Sequence, residues 1–168
     1  MRDAGHAVPP LKPKRNKEGV SMSFSPETGS LVGTWTYRSL LNNPDLATPF
    51  DQLEFGRATI EILPAPMGIF KGRIFGPGWA LQLEGSISYG NPFTVRFQGR
   101  GVVGGEPWVY DYLGYLSPPW PAGIDQRPAL VGTITRTLPH ASGSGGVAPA
   151  GVVCSWYAVM DKPGASAS

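Results

Sequence analysis

The chain contains few of the residues from which metal sites and disulfide frameworks are built. It has one cysteine and two histidines among 168 residues. A single cysteine excludes a disulfide framework and a zinc site made from several thiolates. The histidines, His6 and His140, are far apart in the sequence. We therefore expect no metal site and no cofactor.

Charge of either sign is also scarce. Charged residues make up 15% of the chain, and 14 basic residues against 12 acidic ones give a formal net charge of +2. This bias is too small to favour nucleic acid or an anionic membrane as a partner. No apolar run approaches the roughly 18 residues of a membrane helix. We expect neither nucleic acid nor membrane as a partner.

The length is typical of one domain with a real hydrophobic core. Residues 1–20 carry five basic residues against two acidic ones and lack the apolar segment of a secretory signal. We predict a disordered basic N-terminal arm over residues 1–24, one domain over 25–161 and a flexible tail over 162–168. The lack of a secretory signal makes a cytoplasmic location the default expectation.

The main pattern in the chain is an alternation of apolar and polar residues, which is typical of half-buried β-strands. The clearest case runs from Trp79 to Tyr89. Only residues 41–52 have room for a helical turn, and Pro44 and Pro49 limit its length. The alternating segments are 31–41, 54–63, 69–75, 79–89, 93–100, 108–116, 130–136 and 152–160.

These segments predict an all-β fold, a single eight-stranded antiparallel up-and-down β-barrel with little helix. Parallel strands would need long crossover connections, usually helical, and the chain has none. Eight meandering strands hide their edges by closing into a barrel, while a two-layer sandwich is the alternative. Glycines within the strands favour the barrel because they permit tight coiling. We interpret residues 141–146, ASGSGG, as a hairpin loop.

The first strand opens with Gly33-Thr34-Trp35, which resembles the Gly-X-Trp signature of the calycin superfamily, the lipocalins and avidins. The resemblance implies a barrel whose floor is closed by Trp35. In lipocalins a basic residue from the last strands packs across that tryptophan, and Arg136 is the matching candidate here. The chain lacks the lipocalin Thr-Asp-Tyr element and paired cysteines, so the resemblance supports the barrel and transfers no ligand.

Aromatic residues at inward-facing positions carry the main functional signal. An eight-stranded barrel has room for its own side chains or for one small ligand, so these rings either fill the core or line a cavity. Glycines at other inward positions favour a cavity. We predict binding of a small apolar or aromatic molecule in an aromatic-lined cavity. The predicted ligand-binding residues are Trp35, Tyr37, Trp79, Tyr89, Phe97, Trp108, Tyr110, Tyr112, Trp120 and Trp156.

Whether the chain is an enzyme is left open by the sequence. The alternative function is a cofactor-free cyclase or isomerase that folds a flexible hydrophobic metabolite in the same cavity. Tyr110, Tyr112 and Arg136 are the candidate catalytic residues, because hydroxyl and guanidinium groups polarise a carbonyl as charge develops. A structural or interaction module with a filled core is a third possibility.

Two loop features complete the functional predictions. The long segment 117–128, which contains Trp120, is either a lid at the barrel mouth or a rigid connection. His140 follows the seventh strand, where we expect an exposed loop histidine; an acid–base group at the rim is the alternative.

The outer face of two strands is unusually apolar for a solvated sheet. This composition predicts either a homodimer or cover by the N-terminal arm. The outward residues concerned are Val109, Leu113, Tyr115, Val153, Tyr157 and Val159.

Overall fold

The computed structural model describes residues 31–117, 122–124, 126–143 and 145–161. The elements are β1 (Gly33–Leu41), α1 (Phe50–Leu53), β2 (Glu54–Ile62), β3 (Ile69–Gly76), β4 (Trp79–Ser88), β5 (Thr94–Val103), β6 (Glu106–Ser117), β7 (Ala129–Arg136), β8 (His140–Ala141), β9 (Val147–Ala148) and β10 (Val153–Met160). Within this part of the chain, no helix is long and apolar enough to cross a membrane. The predicted arm over residues 1–24 and the tail over 162–168 lie outside the described residues.

Eight strands, β1–β7 and β10, form a closed antiparallel barrel, which confirms the predicted fold class. β1 pairs with β2 on one side and with β10 on the other, where Tyr37 lies opposite Ala158. Closure leaves no unpaired sheet edge, which is the physical advantage of a barrel over a sandwich. The predicted 141–146 loop joins β8 to β9, a small hairpin inserted between β7 and β10.

The barrel has two ends, which differ in what they contain. At the end called here the upper end, β1, β3, β5 and β7 finish and β2, β4, β6 and β10 begin; the opposite end is the lower end. Trp35 lies near the lower end, and its indole N–H donates to the Leu31 carbonyl at 2.9 Å. Segment 117–128 also connects strands at the lower end.

A stack of aromatic rings fills the middle of the barrel. The Phe97 ring lies parallel to Phe70, with centroids 4.2 Å apart, and to Tyr112, with centroids 4.6 Å apart. The Trp156 ring meets Phe97 edge-on at 5.9 Å. Offset-stacked and edge-to-face pairs of this kind stabilise a core beyond simple burial. The interior is therefore packed at its centre.

Inward glycines make room for a ring or for the backbone of a neighbouring strand rather than for a cavity. A Cβ added at Gly114 would meet the Trp156 indole and the Val131 carbonyl oxygen. A Cβ added at Gly132 would collide with the backbone of Leu113 and Gly114. Our inference that interior glycine favours a cavity is thus wrong at this level, because the space is occupied by Trp156.

The predicted apolar outer face is present on β6 and β10. Leu113, Tyr115 and Val153 are exposed there, while Val109, Tyr157 and Val159 are half-buried. The homodimer stays a prediction.

Candidate functional site

A pocket of about 80 Å³ lies at the upper end of the barrel. Its walls are mostly aromatic and aliphatic, with the Ser39 and Tyr37 side chains among them. It is lined by Tyr37, Ser39, Phe55, Gly56, Arg57, Ile74, Trp79, Leu81, Trp108, Tyr110, Tyr112 and Ile134. Larger depressions of about 630 and 530 Å³ lie on the outer wall, bordered largely by polar side chains that point to solvent. The inward position and aromatic walls make the smaller pocket the candidate binding site.

Half of the predicted ligand-binding residues line this pocket. Their side chains all point into the barrel, and all five lie at the middle or nearer the upper end of their strands. They are Tyr37, Trp79, Trp108, Tyr110 and Tyr112. Trp79 and Trp108 are half-buried, with ring centroids 6.3 Å apart.

Four of the other predicted ligand-binding residues do not line the pocket. Trp35 lies near the lower end, and Phe97 and Trp156 belong to the packed centre. Tyr89 is wrongly predicted as inward: β4 ends at Ser88, and the Tyr89 side chain is 41% exposed. Its hydroxyl accepts the Gly68 N–H at 3.3 Å. Trp120 and parts of segment 117–128 lie outside the described residues, so the predicted lid stays a prediction.

The Tyr37 hydroxyl is the one buried side-chain polar atom in the described residues that has no hydrogen-bond partner. Tyr37 is 3% exposed, and its ring packs against those of Tyr112 and Trp156. Ser39 and Tyr112 are polar neighbours, yet neither reaches the hydroxyl with hydrogen-bond geometry. A buried unpaired hydroxyl costs free energy, so native proteins rarely keep one without a use.

Burial shifts the ionisation of both tyrosines in this region. Desolvation raises the pKa of the Tyr37 hydroxyl above its ordinary value, and it does the same for Tyr112. Charge repulsion from Tyr37 and Tyr110 raises the pKa of Tyr112 further. Both side chains are therefore neutral hydrogen-bonding groups at physiological pH.

These shifts predict alkaline destabilisation. The folded state holds the hydroxyl protons of Tyr37 and Tyr112 more tightly than the unfolded state, in which tyrosine ionises near pH 10. The stabilisation that results is therefore complete below about pH 10 and is lost as pH rises further. We expect the free energy of unfolding to fall by up to about 1.4 kcal/mol per pH unit for each tyrosine above that point. Urea unfolding between about pH 8 and pH 11 measures it.

The Tyr37→Phe variant should show a shallower decline than wild type. Tyr115→Phe, which changes an exposed tyrosine on the outer wall, is the matched control and should keep the wild-type slope. Equal slopes of unfolding free energy against pH in all three proteins would contradict the raised pKa of Tyr37.

His140 is buried at 8% exposure, which corrects the prediction of an exposed loop histidine. β8 carries it back against β6, where its ring stacks on Trp108 with centroids 4.1 Å apart. The Glu106 carboxylate accepts a hydrogen bond from the backbone N–H of the neighbouring Ala141. The sequence favoured an exposed histidine over an acid–base group at the rim because a two-residue strand beside a glycine-rich loop has no periodic signal.

A chain of hydrogen bonds joins His140, Tyr110 and Arg136. The His140 Nδ1 lies 2.8 Å from the Ala141 carbonyl oxygen, which only accepts, so Nδ1 carries a proton. In the neutral ring, Nε2 then accepts the Tyr110 hydroxyl proton at 2.7 Å. The Tyr110 oxygen in turn accepts the Arg136 Nε–H at 3.4 Å. The hydroxyl thus lies between a cation and a base.

Arg136 ends β7 at the upper end, so it does not pack across Trp35 as the calycin resemblance implied. Its guanidinium lies over the Phe55 ring at 5.1 Å and near the Tyr110 ring at 5.9 Å. Nη1 donates to the Pro149 carbonyl at 3.1 Å. Of the three candidate catalytic residues, Tyr110 and Arg136 are in contact, and Tyr112 lies deeper in the ring stack.

Phe55 reaches the pocket through a β-bulge that its sequence does not signal. In the β1–β2 ladder, Ser39 pairs with Gly56, whereas Leu40 pairs with Glu54, so Phe55 is an extra residue. A bulge of this kind re-aims a side chain by breaking strand alternation. If β2 alternated regularly from the inward residues Ala58 and Ile60, Phe55 would lie on the outer face.

The arrangement offers stacking surfaces, one unpaired hydroxyl and a tyrosine–imidazole hydrogen bond. Among the described residues, no group of three or more histidine, cysteine, aspartate or glutamate side chains is placed to hold a metal ion. The chemistry that the described groups supply is stacking, hydrogen bonding and proton transfer.

Comparison with known proteins gives no assignment. No family model matches the chain, and no curated protein or solved structure matches it significantly. The calycin resemblance through Gly33-Thr34-Trp35 stays a prediction, and the function is argued from the pocket itself.

Proposed function

We propose that the barrel binds a small single-ring aromatic molecule at its upper end, with one polar group of the ligand on the Tyr37 hydroxyl. The observation that carries the proposal is that unpaired hydroxyl, which lines a pocket with mostly aromatic and aliphatic walls. A ligand that completes its hydrogen bonding removes the cost of burying it. Flat walls from Trp79, Trp108 and Tyr110 favour a planar ring.

The size of the pocket limits the ligand. The volume is about 80 Å³, whereas a dry cavity of roughly 150 Å³ holds benzene. A single ring therefore enters in part, and its outer edge projects past Trp79 and Trp108 at the rim. A polycyclic ligand is too large for this space.

Titration with phenol and with toluene tests the proposal through quenching of tryptophan fluorescence. The two rings have similar shape, but only phenol can hydrogen-bond to Tyr37. We expect saturable quenching, with phenol bound about five- to tenfold more tightly, as one added hydrogen bond allows.

The Tyr37→Phe variant should bind phenol and toluene equally and should unfold no more readily than wild type, because the hydroxyl has no partner to lose. Tyr115→Phe is the control on the outer wall and should leave both affinities unchanged. No saturable quenching by either probe, or an unchanged phenol preference in Tyr37→Phe, would overturn the proposal.

An acid–base reaction of the isomerase or cyclase kind is the second candidate, favoured by the Tyr110–His140 hydrogen bond beside the pocket. Such a pair can move a proton to or from a bound carbonyl compound. The direct readout is exchange of α-hydrogens of an aromatic ketone in heavy water, followed by NMR. Exchange that disappears in Tyr110→Phe while binding persists would support an enzyme; no exchange above buffer would leave binding alone.

A further inference from the structure

We infer that the ligand of the upper-end pocket is an anion, an aromatic carboxylate whose charge is neutralised by Arg136. The inference rests on the proposed function and names its ligand class. Arg136 is 9% exposed, and among the described residues no carboxylate lies within 4 Å of its guanidinium. A buried charge without a counter-charge is costly.

Some N–H donors of the Arg136 guanidinium have no acceptor among the described residues. A guanidinium has five N–H donors and no acceptor. In the described residues, Nε donates to Tyr110 at a long 3.4 Å and Nη1 donates to the Pro149 carbonyl. The remaining donors match the two oxygens of a carboxylate, which Arg binds in a forked geometry.

Two more exposed arginines of the barrel show the contrast. Arg57 pairs with Glu54, and Arg73 pairs with Glu61 across the β2–β3 ladder at 2.5 Å. Both are more exposed than Arg136, and each still has a carboxylate partner. Arg136 is more costly to leave unpaired, because water screens a buried charge less than an exposed one.

Arg136 does not itself line the pocket, and its charge is connected to the pocket through two residues that do. Its guanidinium contacts the rings of Phe55 and Tyr110, and both rings line the pocket. Tyr37 adds a neutral hydroxyl that can donate, since burial keeps it protonated. A group that only accepts hydrogen bonds fits this set of donors better than a group that must also donate.

Benzoate and benzamide form a matched probe pair, because they share ring and shape and differ in charge. We expect wild type to bind benzoate at least about tenfold more tightly than benzamide, as charge-assisted hydrogen bonds to a buried arginine allow. Arg136→Gln should remove this preference, and Arg136→Lys should keep part of it. Arg73→Gln makes the same change of charge on the outer wall and should leave the preference intact.

The outcomes separate this inference from the proposed function. Equal binding of benzoate and benzamide by wild type overturns the carboxylate and leaves the aromatic pocket standing. Saturable binding of neither overturns both. A benzoate preference that survives in a folded Arg136→Gln variant places the counter-charge elsewhere and overturns the role of Arg136. If Arg136→Gln fails to fold, the preference of wild type and its partial retention in Arg136→Lys decide the question.

Discussion

Replacing Gly132 with alanine should lower the free energy of unfolding by about 3 kcal/mol, the upper part of the range for overpacked cores. The added methyl group would collide with the Leu113 carbonyl oxygen and the Gly114 Cα, both of them backbone atoms of the neighbouring strand. Backbone held in a closed barrel cannot move aside without breaking ladder hydrogen bonds. Urea unfolding followed by far-UV circular dichroism measures the change.

Gly99→Ala is the matched control for this prediction. It adds the same methyl group at an inward position of β5, where the nearest atoms belong to the side chains of Leu83, Tyr112 and Leu81 at 3.1 to 3.5 Å. These side chains can yield by small rotations, so we expect a loss of no more than about 1 kcal/mol. Equal losses at Gly99 and Gly132 would show that backbone contact is not what the glycine at 132 avoids.

Phe97→Ala should destabilise the barrel by about 3–5 kcal/mol, the usual cost of removing a buried phenylalanine ring. Phe97 stacks on two rings and meets a third edge-on, so its removal takes away the centre of the core. The space left is apolar and enclosed. We expect it to bind benzene, which should raise the midpoint of thermal unfolding in the variant as benzene concentration rises.

Two further variants make this result interpretable. Phe97→Leu keeps most of the volume and should cost about 1–2 kcal/mol, with no benzene effect. Tyr115→Ala removes an exposed ring from the outer wall and should cost less than about 1 kcal/mol. A loss below about 1 kcal/mol in Phe97→Ala would contradict the packed centre and restore the open interior that the sequence favoured.

Half of the predicted ligand-binding set lines one pocket, and four other members do not, for a reason that strand parity cannot reveal. Parity predicts which face of a strand is buried, and it correctly placed Trp35, Phe97 and Tyr110 inside. It carries no information about height along the barrel axis. Height depends on strand tilt and on register between neighbours, which are set by all eight pairings together.

The residues that sequence reasoning missed or misplaced lie where the regular pattern breaks. Phe55 enters the pocket at a bulge, and His140 enters on a two-residue strand after β7. Neither has a periodic signal, because a bulge and a short hairpin are local exceptions to alternation. Tyr89 fails for the opposite reason: the alternating pattern continues one residue beyond the end of β4.

The sequence by itself determined that the chain forms eight antiparallel strands with an aromatic interior, since a period of two and the lack of crossover segments leave few other folds. Only the tertiary structure decided that the rings close the centre and leave a small pocket at one end. It also decided that Arg136, Tyr110 and His140 meet there. These contacts join residues on β6, β7 and β8 through the β6–β7 pairing and the return of β8 against β6, and such long-range geometry is fixed by packing rather than by any local pattern.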